Sequence, residues 1–218
     1  MTDFKTISGR KIKFLTSDLT MSSATEGELF YSDSDKEFKV GVSVQAWASG
    51  GNMNTGRRRA KGAGTQTAGL IAGGHDGSNV AGETETYDGS SWTEVADLNT
   101  DRQYHGGCGT QTAALMGGDN SVVESWDGSS WTEVGDFNTA KDEPGFFGTQ
   151  TAAIAAAGGP PPQTAVESWD GSSWTEIADV NTGRYAGGGA GTSTAGLLAG
   201  GYVCLLYTSD AADEEDSV

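Results

Sequence analysis

Glu124-Ser-Trp-Asp-Gly-Ser-Ser-Trp-Thr-Glu-Val134 has two near-copies in the same chain. They are Glu85-Thr-Tyr-Asp-Gly-Ser-Ser-Trp-Thr-Glu-Val95 and Glu167-Ser-Trp-Asp-Gly-Ser-Ser-Trp-Thr-Glu-Ile177. Asp-Gly-Ser-Ser is a tight-turn signal, because Asp and Gly tolerate the backbone angles such turns require. Each copy therefore predicts a hairpin. One strand ends at Tyr87, Trp126 or Trp169, and the next begins at Trp92, Trp131 or Trp174.

Working outward, more landmarks recur in fixed order. Asn-Thr starts at Asn54, Asn99, Asn138 and Asn181, and Gly-Thr-[Gln/Ser]-Thr-Ala follows at Gly64, Gly109, Gly148 and Gly191. Glycine pairs come next, at Gly73-Gly74, Gly117-Gly118, Gly158-Gly159 and Gly200-Gly201. The spacings from Asn-Thr to Gly-Thr, between the two aromatics, and from the second aromatic to the next Asn-Thr do not change. Trp47 keeps that last spacing to Asn54, which predicts the outer strand of an earlier repeat around Val42–Trp47. Most length variation falls just after the glycine pair, as expected of a surface loop on a fixed scaffold.

Each repeat reads as four short strands, and no segment sustains a 3.6-residue period, so the expected class is all-β. Four-stranded units of about forty residues suggest propeller blades, three to four of them across residues 42–203. Ala and Gly runs such as Ala68-Gly-Leu-Ile-Ala72 suit crowded inner strands, and Trp suits the widening wedge farther out. Burying one Trp removes roughly 200 Å² from water, on the order of 5 kcal/mol of gross stabilisation.

The composition needs that help. Of 218 residues, 34 are Gly, and the formal charge is −17, a balance that warns of disorder. Six Trp argue the other way. No run is long and apolar enough to span a membrane, and Met1–Lys5 does not start a secretory signal. The acidity disfavours a nucleic-acid surface. Two Cys and two His exclude a disulfide framework and most metal centres, so no cofactor is expected.

The glycine pair ending strand two, the aromatic, the following Trp and the basic residue after each Asn-Thr (Arg57, Arg102, Lys141, Arg184) together resemble the kelch repeat. The resemblance covers about residues 42–203 and implies a kelch-like β-propeller, although these repeats are shorter than the usual kelch period. Trp126-Asp127 and Trp169-Asp170 spell the WD dipeptide, but the Gly-His landmark of WD repeats is missing. The wording Gly-Thr-Gln-Thr-Ala and Asp-Gly-Ser-Ser-Trp is similar to that of tail and tail-fibre structural proteins of marine bacteriophages. Ala24–Tyr31 followed by Lys36–Val40 resembles the small hairpins of phage tail fibres, so residues 1–41 are expected to be an attachment segment. Cys204–Val218 resembles a transposase sequencing adaptor translated in frame, and is set aside as a non-native tail. Without its five acids the charge is −12.

These resemblances imply a non-enzymatic virion protein, made in the host cytoplasm without a signal peptide. Its partners would be a host-surface glycan or protein and other tail proteins, with homo-oligomers in play and no membrane insertion. The alternative is a cellular kelch-repeat module that binds a protein. In either case the binding face should be the one where repeats differ. Strands alternate in direction, so the connection after strand two and the connection into the next strand one should emerge together. The expected ligand-binding residues there are Arg58, Arg59, His75, Asp76, Tyr104, His105 and Tyr185. Phe146 and Phe147 are expected to pack internally. Asp88, Asp127 and Asp170, with Glu94, Glu133 and Glu176, are identical copies, which points to architecture rather than to a differentiated catalytic pair.

Overall fold

A computed structural model describes residues 13–15, 29–32, 37–40 and 50–203. Trp47 with its expected strand, the 41/42 boundary and the 204–218 segment lie outside the described residues. The chain divides into two units, Met1–Ser49 and Gly50–Val218. All regular structure among the described residues is β.

In the first unit, β1 (Lys13–Leu15), β2 (Leu29–Ser32) and β3 (Glu37–Val40) form a three-stranded sheet in that order. The expected hairpin is the antiparallel β2–β3 pair, with Tyr31 opposite Phe38. Strand β1 runs parallel to β2, a pairing that no local turn signal announces.

The second unit is a series of antiparallel sheets. The first contains β4 (Lys61–Thr65), β5 (Ala68–His75), β6 (Val80–Tyr87) and β7 (Trp92–Val95) in sequential order. The second contains β8 (His105–Thr110), β9 (Ala113–Gly118), β10 (Val123–Trp126) and β11 (Trp131–Glu133). The third contains β12 (Gly145–Thr149), β13 (Ala152–Ala156), β14 (Val166–Trp169) and β15 (Trp174–Ile177). A two-stranded sheet, β16 (Gly188–Thr192) and β17 (Ala195–Ala199), completes the described series.

The turn chemistry accounts for the hairpins. Tyr87 pairs with Trp92, Trp126 with Trp131 and Trp169 with Trp174 across them. In every copy the Asp Oδ1 accepts the N–H of both serines at 2.8 Å. The glycines of these turns, Gly89, Gly128 and Gly171, sit at φ +97°, +96° and +96°. The serines also hold the Asp carboxyls below their ordinary range. Asp127 lies at about 2, first through the Ser129 hydroxyl, and Asp170 at about 2, first through the Ser173 amide.

Neighbouring sheets meet along their first strands: β4 against β8, β8 against β12, β12 against β16. Small residues make this approach possible. A Cβ on Gly106 would stand 2.5 Å from the Phe146 Cβ, and one on Gly189 would stand 2.6 Å from Phe147 Cδ1. Farther out, large side chains fill the gaps. Leu70, Leu98, Met116, Trp126 and Trp131 form one core; Leu115, Phe137, Phe146, Trp169 and Trp174 form the next. Phe147, Ile154 and Val166 form a third. Phe146 and Phe147 are buried, as expected.

One landmark needs correcting. Gly74 has φ +111° and donates its N–H to the Arg102 carbonyl at 2.8 Å. In the third sheet the same bond, again 2.8 Å and to Arg184 O, comes from Gly158 at φ +126°. The counterpart of Gly73-Gly74 is therefore Ala157-Gly158, and Gly159 belongs to the following connection.

Candidate functional site

The most regular polar feature is a buried lock on the connector into each four-stranded sheet. Glu85 accepts the Asn54 N–H at 2.7 Å and its Nδ2 at 3.0 Å, the Thr55 N–H at 3.3 Å and Arg57 Nη2 at 2.8 Å. Glu124 repeats the set from Asn99 at 2.8 and 2.9 Å, Thr100 at 3.1 Å and Arg102 at 2.6 Å. Glu167 does the same with Asn138 at 2.7 and 2.9 Å, Thr139 at 3.1 Å and Lys141 Nζ at 3.5 Å. The charged side chains in these pairs are at most 1% exposed. A carboxylate survives such burial only when its acceptor sites are filled, and here backbone N–H, amide and cation fill them. The lock fastens each connector onto the sheet it is about to enter. It uses up Arg57, Arg102 and Lys141, which leaves them unavailable to a ligand.

Gln111 Nε2 donates to Tyr87 O at 2.8 Å and Gly69 O at 3.2 Å in the preceding sheet. The Gln111 main-chain carbonyl accepts from Trp126 Nε1 at 2.9 Å. Gln150 is placed alike: its Nε2 donates to Trp126 O and to Ser125 Oγ, and its main-chain carbonyl accepts Trp169 Nε1 at 2.9 Å. The Gly-Thr-Gln-Thr turns therefore join neighbouring sheets at the end carrying the Asp-Gly-Ser-Ser turns.

At the other end the two variable connections do emerge together. Isolated bridges pair Arg58 with His75, Asn120 with Lys141, and Gln163 with Arg184. Of the expected binding residues, Arg58, His75 and Asp76 are neighbours here. Asp76 Oδ1 accepts the N–H groups of Ser78 and Asn79 at 2.6 Å each, and those bonds, Asn79 first, keep its carboxyl low. His75 Nδ1 accepts the Gly77 N–H at 2.9 Å. Both side chains thus close their own loop. The Arg59 guanidinium lies over the Tyr104 ring, 4.5 Å from its centroid, and donates to Gln103 Oε1 at 2.9 Å.

Tyr104 and Tyr185 share a pocket of about 340 Å³ with Asp142, Glu143, Gly159 and Pro160. Its frame is tied through the backbone of residue 143. The Glu143 N–H donates to Tyr104 O at 2.6 Å, and Glu143 O accepts the Ala186 N–H at 2.9 Å. Glu143 holds φ +49°, a region non-glycine residues rarely occupy, so two bonds offset a local conformational cost. Asp142 O accepts the Gly159 N–H at 2.9 Å. Burial, followed by the charges of Asp119 and Glu143, raises the Asp142 carboxyl above its ordinary range. Tyr185 also stacks on Tyr202 at 5.3 Å.

His105 does not belong with this group. It is fully buried, and its Nε2 donates to Ala72 O of the neighbouring sheet at 3.2 Å. Burial first, then the charges of Arg102 and Lys61, lowers its pKa to about 3. The space it enters exists because residue 73 is glycine: a Cβ there would be 2.8 Å from His105 Cε1. The ring is part of the packing, which corrects its expected place on the exposed face.

Two pocket acids, Asp142 and Glu143, were not among the expected site residues. Their signal was the divergent content of the Ala140–Phe147 connection, where the other repeats carry Arg, Tyr or Gln. Cys108 offers no nucleophile, since burial raises its thiol to about 12. Among the described residues no group of three His, Cys, Asp or Glu could hold a metal ion, and no helix is long and apolar enough to cross a membrane. No known protein family matches the chain, and no curated protein matches it.

Proposed function

We propose that this chain is a non-enzymatic phage virion component, a tail or tail-fibre protein. In this reading its sheets are blades of a kelch-like β-propeller, and its variable connections bind a host-surface ligand, a glycan. The observation that carries it is the location of the pocket. Tyr104 and Tyr185 line it at the end where connections keep their backbone bridges while side-chain content changes from repeat to repeat. Paired tyrosines offer flat apolar faces for the C–H side of a sugar ring, and the neighbouring carboxylates accept its hydroxyls. The pocket volume is at the small end of ligand sites, which suits one or two sugar units and weak single-site affinity. Display in several copies would turn such contacts into firm adhesion.

A printed glycan array probed with the labelled chain tests this proposal. Retention on a defined set of glycans, lost in Tyr185→Ala and Tyr104→Ala variants of unchanged far-ultraviolet dichroism, is the expected result. Uniform failure to bind would remove the glycan assignment. Binding unaffected by either substitution would move the site elsewhere.

A further inference from the structure

The pocket between Tyr104 and Tyr185 has an unusual balance of chemistry. Its side chains supply two aromatic rings, a proline ring and two carboxyl groups, and no cationic side chain lines it. Asp119 adds a third acid close enough to act on Asp142. Arg59, which reaches the Tyr104 ring, is engaged on that ring and on Gln103. That contact also shows the Tyr104 ring already accepting a positive charge in this protein.

We infer that this pocket selects a protonated amine, and that the surface glycan it takes is one bearing a free amino sugar. This inference rests on the glycan reading above and narrows it. An ammonium group set between Tyr104 and Tyr185 gains from the ring quadrupoles, and Asp142 and Glu143 supply acceptors for its N–H donors. An N-acetylated sugar has lost the charge and brings a bulkier amide. A uronic acid or sialic acid would put a carboxylate against Asp142 and Glu143, where like charges repel. Preorganisation favours the same ligand class. The Glu143 backbone bonds both the Tyr104 and the Ala186 segments, so the two tyrosines are held apart before any ligand arrives.

The experiment is calorimetric titration of the whole chain at about pH 6, where a sugar amine is protonated. Three probes are used: a glucosamine trisaccharide, its fully N-acetylated counterpart and a galacturonic acid trisaccharide. The expected result is a preference of roughly tenfold or more for the glucosamine form over the N-acetylated one. The galacturonic form should not bind measurably. Asp142→Asn and Glu143→Gln together should abolish the preference while leaving the N-acetylated probe as weak as before. Tyr185→Ala should weaken both neutral and cationic probes. Equal or tighter binding of the N-acetylated or acidic probe overturns the amine inference and leaves the glycan assignment standing. A preference that survives Asp142→Asn with Glu143→Gln also overturns it, because attraction to the acidic chain as a whole would then suffice. Loss of all glycan binding on the array removes the broader proposal independently of this comparison.

Discussion

At the end of the sheets carrying the Asp-Gly-Ser-Ser turns, three copies make the same bonds at the same lengths, with every serine amide 2.8 Å from its aspartate. At the opposite end the backbone bridges recur, but the residues making them are Arg58 and His75, Asn120 and Lys141, Gln163 and Arg184. The first end spends its side chains on its own turns and on neighbouring carbonyls. The second is held by backbone bridges and by the buried locks, so its remaining side chains can change without loss of shape. Constancy of bonding at one end is what permits variety at the other.

The sharpest way to break this comparison is at the lock. Glu124→Ala leaves Arg102 buried without its carboxylate and should cost about 3–5 kcal/mol, read from urea unfolding. Arg58→Ala at the variable end should change stability by no more than about 0.5 kcal/mol. Similar losses from the two would mean that the lock holds the connectors no more firmly than the side chains that vary beside it.

The next effect concerns His105, a variable-end residue that is nevertheless buried. As pH falls below 6.5 the unfolded chain takes up a proton that the folded ring refuses until about 3. Stability should therefore decline across that window by up to about 1.4 kcal/mol per pH unit. His105→Gln keeps a donor for Ala72 O and should flatten that part of the profile in thermal melts. An unchanged slope would mean that the ring is not shielded as described.

Smaller still is a difference between two tryptophans at equivalent places. Trp131 Nε1 donates to Thr84 Oγ1 at 3.0 Å, whereas Trp174 Nε1 has no partner among the described residues. The residue equivalent to Thr84 in the second sheet is Val123, which has no hydroxyl to offer. Trp131→Phe should thus cost about 1 kcal/mol more than Trp174→Phe. Equal costs would show that the Thr84 bond contributes nothing net. The smallest effect is expected for Asp127→Asn on the exposed turn. The wild-type carboxylate adds stability above pH 3.8 that fades as pH falls through about 2. The variant should differ from wild type only in the acid limb of a dichroism titration.

Much of the fold was legible because local signals and tertiary pairing agree. The Asp-Gly turn, the aromatic on either side and the glycine-rich strand each mark a boundary that recurs, and the strands begin and end there. The β1–β2 parallel pair was not legible, since parallel strands carry no hairpin signal in the sequence between them. Nor was the register at Gly158, because two adjacent glycines satisfy the same motif and only the bond to Arg184 O distinguishes them. The buried role of Glu85, Glu124 and Glu167 was not legible, because an acid on a short strand is ordinarily solvated. The clue was their identity in every copy alongside an invariant Asn-Thr and basic residue, a combination that surface exposure does not require. His105 misled for the converse reason. The same position holds Ala60, Pro144 and Gly187 in the other copies, and variation there reflects different packing rather than access to solvent.

The lock also has a bearing on how such a chain can grow. Asn99, Thr100 and Arg102 lie at the start of a stretch that reaches Glu124 and Trp131 before the next Asn-Thr begins. A gene segment copied from Asn99 through Phe137 carries both halves of its own fastening. Its Gln111 asks only for main-chain carbonyls that any preceding copy offers. Tandem duplication or deletion in this frame adds or removes a whole sheet without stranding a buried charge. A copy of strands three and four alone would instead add a second Glu124 with no Asn99 or Arg102 to fill its acceptor sites.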